Sequence, residues 1–358
     1  MNTMAGNNGI NKVYRVVQWA AGRIGQSAMR ATIRHPQLRL VGLHVHSESK
    51  AGRDAGELCG LGAIGVPATR SIDAVLALKP DCVLYMQEGY NVDDMCRLLQ
   101  SGINIVTTRS EFFYAKTMDP AMREKILDAC QKGQSSLFAT GSSPGFSTEV
   151  MALALTYMSR RLDCLTIDEF ADIPASTSPE MITNVMGFGR PMPEEFSRQM
   201  LEHVAVGFAQ SLGAVADGFG LPVDRFETSG EFGLANSAVT LPGGAVIRKG
   251  MVAAQRITVA GLRNGRPLVK FRANWYCSRD IDKDWELNEN GWRILVEGDT
   301  PVDVKITYPR TSEPFADQMS GLTAHAAVNA VPYACDAAPG IRTNVDLPTI
   351  IPRLLAGP

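Results

Sequence analysis

Val13-Tyr14-Arg15-Val16-Val17-Gln18-Trp19-Ala20-Ala21-Gly22-Arg23-Ile24-Gly25 is the stretch whose reading decides the fold. Val13, Val16, Val17 and Trp19 make a short β-branched and aromatic run of the kind that fills a buried parallel strand. From Ile24 the pattern turns helical, with Ile24, Ala28, Ala31 and Ile33 near one face, and it stops at Arg34 because His35 precedes Pro36. Strand, Gly-containing turn and helix N-terminus in succession form a pyrophosphate site, because free N–H groups and the positive end of the helix dipole face an anion. The dinucleotide fingerprint G-x-G-x-x-G is filled as Ala20-Ala21-Gly22-Arg23-Ile24-Gly25. Its first Gly is Ala, tolerable there only at negative φ, while the glycines for phosphate approach and helix packing are kept. Ala21, Gly22, Arg23, Ile24 and Gly25 are the expected diphosphate contacts; the competing reading is a plain strand-to-helix turn.

The rest of the chain bounds the answer. At 358 residues it holds two ordinary domains, or one with a large insertion. Hydrophobic content of 45%, charged content of 20% and a net charge of -2 describe a globular protein without the basic excess that nucleic acid or an anionic membrane requires. No apolar run reaches the length of a membrane span, and Met1 to Asn11 lacks the regions of a signal peptide, so residues 1–12 read as a loose tail. Seven cysteines, odd in number and without a C-x-x-C pair, read as small core residues of a reducing cytoplasm. With five scattered histidines and no H-E-x-x-H, no metal site is expected.

The βα alternation continues to residue 147. Leu38 to His46 reads as a second strand, Ser71 to Leu78 as a helix, Asp81 to Met86 as a strand and Asp93 to Gln100 as a helix. Ile103 to Thr108 is a further strand, and Asp119-Pro120 caps a helix running to Lys132 with Gly133 past its end. Leu137 to Thr140 leads into the breaker-rich turn Gly141 to Phe146. Residues 13–147 are thus a doubly wound Rossmann-type α/β parallel sheet, the dinucleotide-binding domain.

Residues 148–320 read as a substrate-binding and oligomerisation domain of α+β type, built on an antiparallel or mixed sheet. Thr148 to Arg160 and Glu194 to Leu212 are its helices, and Leu162 to Phe170 a strand. Ile257 to Leu262 and Leu268 to Tyr276 flank Asn264-Gly265, a hairpin signal because both turn residues accept positive φ. Trp292 to Glu297 and Val302 to Tyr308 form a second hairpin. Gly321 to Tyr333 reads as a small-residue helix packing back on the first domain with the rest of 321–358, and Pro339 to Pro358 as an extended tail. His325 reads as a core histidine.

The position about 20 residues beyond the glycines, where a carboxylate binds the ribose hydroxyls of NAD, falls on His46 or Ser47. With Ser49, Lys50 and Arg53 nearby, the loop offers donors and positive charge suited to a 2′-phosphate, so NADP is preferred; Glu48 keeps NAD possible. Met86, Thr108, Arg109 and Ser143 complete the expected cofactor contacts at the ends of later strands. Glu111, the only carboxylate between Asp94 and Asp119, sits beside Phe112, Phe113 and Tyr114, where desolvation would raise its pKa toward a general base's range. A solvated or capping carboxylate is the competing reading. Phe146, Asn184 and Met186 are the substrate-pocket candidates, in an apolar pocket between the domains.

Ala21-Gly22-Arg23-Ile24-Gly25, the loop Thr107 to Glu111, Ser143-Pro144-Gly145-Phe146 and Asn329-Ala330-Val331-Pro332 resemble the dihydrodipicolinate reductase-like family that includes diaminopentanoate dehydrogenase and the native NAD(P)-dependent amine dehydrogenases. The resemblance spans most of the chain. It implies reductive amination of a ketone or aldehyde and the reverse oxidative deamination, with Glu111 as the base that takes a proton from ammonium or the amine. Dihydrodipicolinate reductase proper carries a His-His pair and a Lys in its second domain; Glu169 to Gly189 contains none of these, which excludes that activity. Ser110-Glu111, Tyr114-Ala115 and Ser143-Pro144-Gly145 stand where related amine dehydrogenases often show Glu-Glu, Tyr-Pro and Asn-Pro-Gly.

The expectation is a cytoplasmic NAD(P)-dependent oxidoreductase, amine dehydrogenase-like, a homodimer acting on a small-molecule amine or carbonyl. An NADP-dependent carbonyl reductase or alcohol dehydrogenase on the same fold, and a non-catalytic NADP-binding regulator, are the rival readings.

Overall fold

The computed structural model of the chain describes residues 12–175, 177, 181–309, 311 and 314–354. Apart from Lys12, the expected N-terminal tail lies outside them. In chain order the first elements are β1 (Tyr14–Trp19), α1 (Arg23–Arg34), β2 (Leu38–His44), α2 (Ala55–Leu58), β3 (Ala68–Thr69), α3 (Ile72–Ala77), β4 (Cys82–Tyr85), α4 (Val92–Gln100), β5 (Asn104–Thr107), α5 (Pro120–Gly133) and β6 (Ser136–Ala139). Then come α6 (Met151–Leu155), β7 (Leu162–Asp172), α7 (Arg198–Gly218), β8 (Arg225–Leu234), β9 (Val239–Thr240), β10 (Val246–Ile247), β11 (Val252–Arg263) and β12 (Arg266–Tyr276). β13 (Gly291–Gly298), β14 (Val302–Thr307), α8 (Phe315–Cys335) and β15 (Gly340–Arg342) complete the chain. Two compact units result, residues 1–142 with 319–358, and residues 143–318.

The first unit holds a seven-stranded parallel sheet in the order β15-β6-β5-β4-β1-β2-β3. Val17, Val83 and Ile105 pack one face against Leu98 and Leu99 of α4 and Ile126 of α5. Val16, Leu84, Val106 and Phe138 pack the other against Ala28 of α1 and Ala327, Val328 and Val331 of α8. Covered on both faces, the strands are near-continuously apolar, as a doubly wound sheet requires. α1 stops where the sequence predicts, His35 turning extended before Pro36 (φ -77°, ψ 131°).

The second unit is a mixed six-stranded sheet, β14-β13-β7-β12-β11-β8, in which only the β7–β12 pairing is parallel. Asn264 (φ 51°) and Gly265 (φ 72°) turn the β11–β12 hairpin with both residues left-handed. α7 lays Val204, Leu212 and Val215 on Ile167, Ile257, Val259 and Phe271. Burial of a side chain such as Phe271 is worth roughly 2–3 kcal/mol, so this face supplies much of the unit's stability. The opposite face carries Asp168, Arg256, Arg272 and Asn274, joined in pairs by hydrogen bonds.

Several expectations need correction. Ala20 stands at φ 76°, not at negative φ. α1 lies so close behind the turn that a Cβ on Gly25 would meet the Ala20 carbonyl oxygen at 2.2 Å, and Gln18 Nε2 holds that oxygen at 3.0 Å. Gly133 falls inside α5, where a Cβ would strike the Leu99 carbonyl, and Gln134 (φ 51°) takes the left-handed position after it. The helix expected to run to Arg160 ends at Leu155; Thr156 Oγ1 bonds back to the Ala152 carbonyl and Asp299 receives the backbone N–H groups of Arg160 and Arg161. α7 begins at Arg198, behind the Ser197 cap, and extends to Gly218. β2 ends at His44, two residues early. β8 was not anticipated, and the tail expected from Pro339 contributes β15, parallel to β6. His325 is exposed on α8, not a core residue.

Candidate active site

The parallel ladder aligns Trp19 with Tyr85 and Tyr85 with Thr107, so β1, β4 and β5 end level, and the segments that follow share the carboxyl edge of the sheet. Ligands bind at that edge in open α/β sheets. Beyond β1, Ala20 donates its N–H to the His44 carbonyl (2.8 Å), and the chain enters α1 at Gly22. Gly22 has no capping side chain, its Cβ position faces open space, and the first turn of α1 holds Arg23 and no acidic residue. Uncapped N–H groups, a dipole and a cation together favour an anion there. Lys50 reaches across from the loop after β2 to the Ala21 carbonyl (2.9 Å).

At the ends of β1, β2 and β4 the rings of Trp19, His44, His46 and Tyr85 cluster, His44 stacking on Trp19 at 3.7 Å. Burial, aided by neighbouring His46 and opposed by the Arg70 carbonyl, pushes the His44 imidazole down to about 4. His46 is exposed and bonds Gln87 Oε1 (2.6 Å), and Ser47 bonds Ser49. Met86 is buried, its N–H donating to the Trp19 carbonyl (3.1 Å).

After β5, Thr107 Oγ1 donates to the Tyr85 carbonyl and receives the Arg109 N–H, which sets the direction of the segment Thr108 to Phe112. Arg109 donates to both oxygens of Glu111, Nη2 to Oε1 at 2.5 Å and Nε to Oε2 at 3.2 Å. The side chains are 27% and 22% exposed, so the pair is accessible but sheltered. The apolar isolation expected for Glu111 is therefore corrected: Phe112 and Phe113 turn into the core and a guanidinium faces the carboxylate.

In the second unit, Ser143-Pro144-Gly145-Phe146 leads into a helical turn. Ser143 Oγ is buried without a protein partner, and the half-buried Phe146 ring lies 6.1 Å from Trp292. Met186 borders a cavity of about 280 Å³ with Phe196, Met200, Phe232 and Gln255, and its carbonyl accepts from Gln255 Nε2. Asn184 is exposed and is not part of that lining. A cavity of about 520 Å³ sits at the amino edge of the first unit's sheet, beside Tyr14, Asp336 and Arg342, far from the strand ends that carry the candidate residues.

Residues 16–108 match the dihydrodipicolinate reductase N-terminus, and residues 146–357 match the 2,4-diaminopentanoate dehydrogenase C-terminal domain. The second match spans more than half of the chain. The chain belongs to the 2,4-diaminopentanoate dehydrogenase family. An amine dehydrogenase of Streptomyces virginiae is 27% identical over 343 residues, covering 93% of this chain and 95% of that protein. The 2,4-diaminopentanoate dehydrogenase of Acetoanaerobium sticklandii is 20% identical over 80% of this chain and 78% of its own length. The solved amine dehydrogenase of Mycobacterium smegmatis superposes with a TM-score of 0.72 at 20% identity, over 96% of this chain and 98% of that one, which shows the shared fold.

As a member of this family the chain is an enzyme, an amine dehydrogenase-like oxidoreductase that uses a nicotinamide cofactor and a small-molecule substrate. The residues of the first unit fit the cofactor: the open Gly22 cradle is suited to a diphosphate, and the unpartnered buried Gln18 Oε1 has hydrogen-bonding capacity to spare. Among the described residues no group of three or more His, Cys, Asp or Glu side chains is placed to hold a metal, and no helix is long and apolar enough to cross a membrane. Sequence reasoning missed Gln18 and Gln87. A buried Gln inside an apolar strand was a signal for the first; nothing local marked the second.

Proposed function

We propose that this enzyme interconverts an amine and its ketone or aldehyde by NADP-dependent oxidative deamination and reductive amination, with Glu111 as the proton acceptor. The observation that carries the reading is the Glu111 carboxylate, fixed by Arg109 at the carboxyl edge of the sheet that also bears the uncapped N-terminus of α1. The relatives' names supply the amine. In the deaminating direction a nicotinamide held by this unit would supply the hydride acceptor for the carbon bearing nitrogen, and Glu111 takes a proton from that nitrogen. Water then adds to the imine and releases ammonia and the carbonyl compound.

The first unit is the dinucleotide-binding domain in this reading. Ala21 to Gly25 hold the diphosphate, His46, Ser47 and Lys50 the adenosine ribose, and Met86, Thr108 and Arg109 the remainder. Lys50, directed at the turn, supports NADP over NAD. The second unit binds substrate through Phe146, Met186 and Asn184 and pairs two copies as a homodimer of the cytoplasm.

Glu111→Gln tests the assignment. Turnover of amines should fall by at least ~10²-fold, with NADP affinity within a few-fold of the wild type. Unchanged kinetics would end the role given to Glu111. Oxidation of NADPH by a ketone without any need for ammonium would replace the amine reaction with carbonyl reduction.

A further inference from the structure

Asn329-Ala330-Val331-Pro332 divides between two surfaces of α8. Ala330 and Val331 are fully buried in the core between α8 and the parallel sheet. Asn329 and Pro332, three residues apart and therefore on one helix face, line the cleft of about 520 Å³ at the amino edge of that sheet. The Asn329 amide is half-buried and makes no hydrogen bond with any described residue.

One side of the cleft is apolar and fixed. Tyr333 donates its hydroxyl to the Ile351 carbonyl (3.1 Å) and accepts the Ile351 N–H (2.8 Å), which ties the segment after β15 to α8. Leu347, Pro348 and Ile351 of that segment join Pro332 and Tyr333 in the lining. Walls held in this way cost little to order when a ligand enters, and the volume lies within the range of small-molecule sites.

On the polar side the acceptors are spent and the donors are not. Asp336 accepts from Lys12 Nζ (2.8 Å) and from the Tyr14 hydroxyl (2.7 Å), one on each oxygen, and Asp346 accepts the N–H and hydroxyl of Thr343. His35 takes the Gln37 N–H on Nδ1 (3.1 Å), so its neutral ring, favoured by burial, carries its proton on Nε2 as a donor. Arg342 gives Nε and Nη2 to the Ala338 and Pro339 carbonyls and keeps Nη1, while Arg353 has no partner among the described residues. Lys12, Arg342 and Arg353 against Asp336 and Asp346 leave one positive charge at the cleft.

We propose that this cleft is a second ligand site, for a small organic monocarboxylate with an apolar body. The carboxylate finds donors among Asn329, His35, Arg342 and Arg353, and the body lies against Leu347, Pro348 and Ile351. A monoanion balances the spare charge, a dianion exceeds it, and an amine would meet unspent donors in place of acceptors. The site rests on no coenzyme assignment, since it lies at the end of the sheet opposite the Gly22 turn.

Calorimetric titration of the full chain with hexanoate, benzoate and 2-naphthoate tests this, with the three corresponding amides and inorganic phosphate as controls. At least one carboxylate should bind with a dissociation constant below about 1 mM, and its amide and phosphate at least about tenfold more weakly, as the loss of one charge-assisted hydrogen bond allows. Arg353→Gln and Asn329→Leu should each weaken the carboxylate about tenfold. Arg353 is exposed and unpartnered, so its replacement leaves the fold intact and decides the matter alone should Asn329→Leu misfold. Crystals soaked in 4-iodobenzoate should place the iodine in the cleft. No binding by any of the three carboxylates, amides that bind as well as the acids, wild-type affinity in the folded variants, or iodine only elsewhere would each overturn the proposal.

Discussion

Arg109 and Glu111, two residues apart beyond β5, meet through two nitrogens and two oxygens, a fork-to-fork pair on a segment fixed by Thr107. Such a pair orients a carboxylate as well as neutralising it. Replacing Arg109 by Met should leave Glu111 present but unaimed, and kcat/KM for amine oxidation should fall roughly 10- to 100-fold. Arg109→Lys keeps the charge without the fork and should recover only part of the loss. Steady-state kinetics of both variants beside the wild type check this; equal activity in Arg109→Met would show the pair to be incidental.

Ala20 occupies a left-handed conformation (φ 76°) that costs an L-residue about 1–2 kcal/mol and glycine almost nothing. Ala20→Gly should therefore raise stability by about 1 kcal/mol after the added unfolded-chain entropy is subtracted. Ala20→Val should lower it by more, since a β-branched side chain fits that region worse still. Urea denaturation midpoints of the three proteins decide the matter, and a destabilised Ala20→Gly would mean that the turn relaxes to negative φ.

The turn shows what local sequence conveys and what it does not. Strand, turn and helix were legible in Val13 to Arg34 because periodicity and the His35-Pro36 stop are local features. The φ of Ala20 was not, since it is imposed by the approach of Gly25 from the next element. The Asn264-Gly265 hairpin was readable from its turn residues alone. β15, three residues long and opened by Gly340 at φ 129°, exists through its pairing with β6. β8 interrupts its own pattern with Gly230, beneath the Phe196 ring, and Gly233, beneath Ile281. Glu111 could be singled out as an isolated carboxylate after a strand; its partner Arg109 was read only as a cofactor contact, because sequence spacing does not say which neighbours face each other.

Asp54 gathers the loop before β3, accepting from the backbone N–H groups of Gly56, Glu57, Ile64, Gly65 and Val66. Burial works to raise its carboxyl, and the N–H groups of Ile64, Gly56, Val66 and Glu57 outweigh that and hold it below the ordinary carboxylate range. A folded-state value lower than the unfolded one gives stability that is present above the unfolded value and lost as pH falls through the folded one. The wild type should accordingly lose stability below about pH 4. Asp54→Ala should start less stable at neutral pH and show a flatter acid limb; parallel limbs in thermal melts from pH 7 to 3 would exclude Asp54 as a contributor.

Glu149 is buried in the second unit and accepts from Ser211 Oγ at 2.8 Å. Because Ser211 spends its proton there, its oxygen receives the Thr148 hydroxyl at 2.6 Å, and Thr148 in turn accepts the Gly145 N–H at 2.9 Å. A one-way chain of hydrogen bonds thus runs from α7 to the turn that carries Phe146, at a glycine with φ 119°. Ser211→Ala should cost about 1–3 kcal/mol by removing the acceptor of the buried Thr148 hydroxyl. If the chain positions Phe146 for substrate, KM for the amine should also rise several-fold while NADP affinity holds, and Ser211→Thr, which restores a hydroxyl, should reverse part of the change. A loss of stability with KM unaltered would confine Glu149, Ser211 and Thr148 to a structural role.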